Sequence, residues 1–241
     1  MSYDSNNRWS ASANTAIPQV GIDVGLRNYM LRVYNYMAGG LALTGLVAYF
    51  AQATGVYQSL VQTPALFWII IFAPLGLVLL LSFKIQSMSL GAAQATFWGY
   101  AALVGLSLAG LFLVYTGASI AQVFFITAAT FLATSLYGYT TKRDLAGFGS
   151  FLFMGLIGII IASLVNMFLH SAAMQFAISV IGVLVFTGLT AWDTQQIKEM
   201  YWEGDSAVIA GKKAIMGALR LYLDFINLFL MLMQLMGNRR N

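Results

Sequence analysis

Seven runs of mostly apolar residues, each about as long as a bilayer is thick, leave this chain few folds to choose from. They lie at 33–54, 64–83, 91–115, 119–141, 148–169, 174–197 and 214–236. A helix needs about 20 mostly apolar residues to cross the hydrocarbon layer, and each run meets that length. The breaks between them are short: GVYQSLVQT, KIQSMSL, TGA, TKRDLAG, HSAA and EMYWEGDSAVIAGKK. The TGA break is the smallest. Without a turn near Gly117, residues 91–141 would form one helix too long for any bilayer. With 60% apolar and 8% charged residues, the chain reads as an all-α polytopic membrane protein rather than a soluble domain.

Two regions follow from this pattern. Residues 1–24 form a polar tail rich in Ser and Asn and are expected to be disordered; residues 25–241 form one seven-span membrane domain. The tail has neither the apolar core nor the cleavage site of a signal peptide, so the first span is expected to direct insertion. There is no cysteine, which removes disulfide and thiolate chemistry. The net charge of +4 does not indicate nucleic-acid binding, because the basic residues sit in connections between apolar runs.

Those connections orient the chain. Arg8, Arg27 and Arg32 precede the first span, Lys84 follows the second, Lys142 and Arg143 follow the fourth, and Lys198, Lys212 and Lys213 follow the sixth. The alternate connections contain no Lys or Arg. Basic residues in short loops stay cytoplasmic, so the N-terminus is expected in the cytoplasm. Arg239 and Arg240 run against the pattern, because a seventh full span carries them outside. A re-entrant last segment would remove the conflict, but the run from Ile215 is long enough to cross.

Within the apolar runs two carboxylates stand out. Asp224 lies in LYLDFINLFLMLMQLMG, and Asp193 in LTAWDTQQIK at the end of the preceding run. An aspartate near mid-helix costs roughly 2.5–3.5 kcal/mol on insertion scales, so these acids are the candidate working site. On a helix Asp193 shares a face with Thr190 and Gln196, and Asp224 with Arg220 and Asn227. Gln196 and Asn227 are thus candidate supporting polar groups. By depth, Asp193 sits about one turn from the end of its span and Asp224 two to three turns into the next. Fraying near Gly217 would level them.

If the carboxyls meet, they cannot both be bare anions. Two unit charges about 4 Å apart at an effective dielectric of about 20 repel by roughly 4 kcal/mol. The pair must share a proton or capture a cation. Calcium takes six to eight oxygens and two carboxylates supply at most four, so binding would be weak, as permeation requires. Acid protonates the pair and ejects the ion. Structural readings compete: Asp193 can face headgroup water, and Asp224 can be neutralised by Arg220 one turn before it. Lys84 is a further candidate partner able to close a pore, so Lys84 and Arg220 are candidate gating latches.

The runs AWDTQQIK and ALRLYLDFINLFLMLMQLMG, set in seven spans, resemble the bacterial branch of the transmembrane Bax inhibitor motif family, from about Gly25 to the C-terminus. The resemblance implies six helices surrounding a central seventh. It also implies a pH-sensitive calcium leak governed by an aspartate pair matching Asp193 and Asp224, with Lys84 nearest to a basic latch residue. The chain departs from the family pattern at Trp192, where Tyr is common, and at Arg220, where a small or neutral residue is expected. The connection between the last two spans is also longer.

These readings imply no enzyme, no cofactor, and calcium and protons as the ions handled in a bacterial inner membrane. The main alternative is a non-conducting regulator that binds another membrane protein, such as a protease or stress-response factor. A proton-coupled carrier could use the same acids. An aspartyl protease would want its second acid in a Gly-x-Gly-Asp setting, whereas Asp224 follows Leu-Tyr-Leu. A retinal pump would need a lysine deep in the last span.

Overall fold

The computed structural model describes residues 24–240. They fold into helices α1 (Val24–Ala53), α2 (Val56–Val61), α3 (Pro64–Lys84), α4 (Leu90–Leu108), α5 (Leu111–Val114), α6 (Gly117–Thr140), α7 (Ala146–Leu169), α8 (Ala172–Glu199) and α9 (Ala207–Met236). The chain is all-α. The tail expected at 1–24 lies outside the described residues except for Val24, which opens α1. Counting α4 and α5 as one, six helices among the described residues are long and apolar enough to cross a membrane; α1, with Arg27, Asn28, Arg32 and Asn35 in its first half, is not among them.

Helix starts follow local chemistry. Ser89, Thr116, Ser171 and Ser206 each cap a helix by accepting a hydrogen bond from the backbone N–H three residues on, the usual remedy for unpaired first-turn donors. The required turn before α6 falls at Tyr115–Thr116, one residue ahead of Gly117. Two breaks are more ordered than their polarity suggested. GVYQSLVQT contains α2, and the mixed-charge connection before the last span is helical from Ala207. There the Ser206 cap and a Lys213–Asp205 ion pair hold about two extra turns that hydropathy alone does not predict.

α9 is the best-buried of the long helices. Within its most apolar stretch 67% of residues are buried, against 17% in α3 and α7. It packs against α8, α1, α6 and α4, while α3 lies on α4, and α7 on α8. Buried hydroxyls tie the layers together. The Tyr222 hydroxyl lies 2.6 Å from Thr44 Oγ1, which donates to the Ala101 carbonyl. Ser135 links Tyr34 to Thr194 in the same way. α6 and α8 approach so closely at Gly138 that a Cβ there would lie 2.1 Å from the Ala191 carbonyl oxygen.

Different basic residues fasten the two ends of the bundle. Lys198 donates to the Tyr139 carbonyl, Lys212 to Gln86 and Lys213 to Met200. The lysines thus bind together the connections at one end. At the other, Arg240 donates from its backbone to the Val114 carbonyl and from its guanidinium to Phe112, and the Thr116 N–H donates to Asn238. α9 therefore does not turn back. It is one 30-residue helix, about 45 Å long at 1.5 Å per residue, and its last residues are pinned at the end remote from the lysines.

Candidate ion-binding site

Helix direction brings the two acids together. α8 and α9 are antiparallel, and Lys213 donates to the Met200 carbonyl where they join. Counting equally back along α8 and forward along α9 sets Asp193 level with Arg220, with Asp224 one turn deeper. Cα–Cβ bonds tilt toward each helix's N-terminus, so Asp193 leans inward while Asp224 leans back toward it. The two carboxyls are close enough to feel each other's charge. No fraying is needed: α9 runs unbroken through Gly217, whose Cβ position would lie 2.9 Å from Ile197 Cγ2.

Charge at this point is not balanced. Arg220 Nη1 lies 3.8 Å from Asp193 Oδ1, and it offsets one of the two carboxylates. Asp224 is only 5% exposed, and its Oδ2 is buried without a hydrogen-bond donor. Two facing acceptors and one guanidinium leave a single negative charge in an apolar setting. A proton on the pair or a bound cation removes it; nothing else in the immediate geometry does.

The acids border a cavity of about 820 Å³ between α7, α8 and α9, whose ionisable lining residues among the described residues are Asp193, Arg220 and Asp224. Asn227 lines it too, its Nδ2 donating to the Leu223 carbonyl of its own helix rather than bridging helices. Gln196 does not reach the pair, because its amide donates to Glu199 on the exposed face. Lys84 is exposed at the end of α3, which packs on α4. It makes no ion pair among the described residues, so of the two candidate latches only Arg220 is beside the acids. Among the described residues no group of three or more His, Cys, Asp or Glu could hold a metal. A calcium ion here would draw on two carboxylates, the Asn227 carbonyl oxygen, backbone and water.

Trp192 packs over Gly149 of α7, where a Cβ would lie 2.2 Å from the indole, and its Nε1 is buried without a partner. Its position beside Asp193 in sequence was the available signal. Gln195 was also missed: it accepts from the Leu145 N–H and donates to the Arg143 carbonyl, fastening the α6–α7 connection to α8. Asn166 of α7 and Gln175 of α8 bridge the two helices, Asn166 Nδ2 donating to Gln175 Oε1.

A family model described as inhibitor of apoptosis-promoting Bax1 matches residues 26–241. The chain belongs to the Bax inhibitor family. Among its relatives, an uncharacterized protein of Rickettsia prowazekii is 54% identical over 220 residues, covering 91% of this chain and 93% of that one. The inner membrane protein YbhL of Escherichia coli K12 is 52% identical over 219 residues, 90% and 94% of the two chains. A Caulobacter vibrioides protein is 43% identical over 249 residues, 98% and 99%. This Bax inhibitor family chain is thus a membrane protein whose most buried helix carries a carboxyl group facing a second one.

Proposed function

We propose that this family member is a pH-sensitive calcium leak of the bacterial inner membrane, in which Asp193 and Asp224 exchange a proton for a cation. One observation carries the reading: two interacting carboxyls with one guanidinium leave an unbalanced charge at the edge of a cavity. In the proposed arrangement the chain crosses the bilayer seven times, six helices surround α9, and the N-terminus is cytoplasmic. The membrane assignment of YbhL and the lysines gathered at one end support it. Arg220 is the internal latch, holding Asp193 while the cation is away.

The sign of the pH response follows from the chemistry. Low pH supplies the missing positive charge as a proton, the pair releases its cation, and flux falls. High pH strips the proton and admits the ion. Calcium entry into liposomes carrying the purified chain should rise as pH is raised from about 6 to 8. Asp224→Asn should abolish the rise, and Asp193→Asn should flatten it. Wild-type liposomes no leakier than empty ones would favour the non-conducting regulator, in which the Asp193–Arg220 pair is only structural.

A further inference from the structure

We propose that the aspartate pair opens to the His170 end of the bundle, through a hydrated route between α7, α8 and α9, and is shut off from the lysine-rich end. The proposal rests on the ion-handling reading of the same site but concerns which compartment the site meets. The reach of the cavity motivates it. On α7 its lining runs from Phe153 to Met167, on α8 from Phe186 to Asp193, and on α9 from Arg220 to Met231. No lining residue lies nearer the lysine end than these, so the acids stand at its closed floor. A second cavity of about 470 Å³, at the mouth beside His170 and Gln175, shares Ser163 and Met167 with it.

The floor is tight. Ile197, Ile215 and Ala218 are fully buried on the lysine side of the acids, and Leu219 nearly so. α8 and α9 touch there at Gly217. Two polar atoms in the cavity wall are buried and unpartnered: the acceptor Asp224 Oδ2 and the donor Trp192 Nε1. Polar groups also step outward along the route, from Asn227 through Ser163 to Asn166, which binds Gln175. The Arg220 side chain is 44% exposed, and a guanidinium bared to hydrocarbon is strongly disfavoured. Water reaching it along the groove relieves that penalty. The acids then respond to the pH and cations of the His170 side, which the basic-residue pattern makes the outer side.

Because the chain has no cysteine, single substitutions test the route in the intact protein. Ser163→Cys and Asn227→Cys are placed along it, His170→Cys at its mouth and Glu203→Cys at the opposite end. Ile161→Cys, on α7 but outside both cavities and 56% exposed, reports contact with lipid. A membrane-impermeant methanethiosulfonate reagent is applied to sealed vesicles from each side in turn. Ser163→Cys and Asn227→Cys should label from the side that labels His170→Cys, roughly tenfold or more faster than Ile161→Cys, because thiols in hydrocarbon stay protonated and unreactive. Rates no faster than Ile161→Cys mean that lipid fills the groove, and labelling only from the Glu203→Cys side means that the route opens the other way; either result overturns the proposal. Calcium flux through the unsubstituted protein separates the two ideas. Labelling without flux keeps the route and removes the channel, and flux without labelling does the reverse.

Discussion

Arg220 is the residue whose role sequence and structure describe most differently. One turn before Asp224 on the same helix, it reads as that acid's partner, yet its guanidinium lies beside Asp193 across the helix interface. The antiparallel register explains this: Arg220 stands level with Asp193 across the α8–α9 interface, while Asp224 lies one turn deeper on its own helix. Removing it should change the pH response in a definite sense. Without the guanidinium a second negative charge on the pair loses its nearest stabilising cation, so ionisation needs higher pH. Arg220→Gln should therefore move the flux midpoint to higher pH. It should also raise the plateau, since no internal cation competes for Asp193. An unchanged midpoint in a liposome pH series would remove Arg220 from the gating account.

Among elements, the α8–α9 and α6–α8 contacts decide whether the acids meet. Gly138 sits where α6 crosses α8, against backbone rather than a yielding side chain. A methyl group there must push the helices apart, and overpacking of this kind typically costs about 1–3 kcal/mol. Gly138→Ala should lower the thermal unfolding midpoint in detergent, whereas Gly45→Ala, with nothing within 4 Å of its Cβ position, should leave it unmoved. Equal midpoints for the two variants would mean the crossing is looser than the structure has it. The six helices apolar enough to cross a membrane were legible as apolar runs, because burial in lipid demands that pattern, whereas α1 begins nine residues ahead of its run. Their ends were less so. α8 and α9 extend beyond their apolar runs because the Ser caps, the Lys213–Asp205 ion pair and lysine bonds to carbonyl groups continue a helix that hydropathy no longer requires.

Across the whole molecule, the paired ends of the bundle set topology. The C-terminal residues bind the 112–116 connection, which holds Arg239 and Arg240 at the end opposite the lysines despite their charge. A reporter fused after Asn241 should therefore be active on the side that labels His170→Cys; activity on the Glu203→Cys side would return the last helix to a re-entrant path. From residue order alone came the membrane class, the family resemblance now borne out by the match over residues 26–241, and the two acids worth watching, because isolated charges in apolar runs are visible in one dimension. Whether those acids touch, which cation sits beside them and which way their cavity faces could not be read there. These depend on the register between α8 and α9 and on the tilt of side chains across their interface. A shift of one turn, about 5.4 Å, would separate the carboxyls without altering a single hydropathy run.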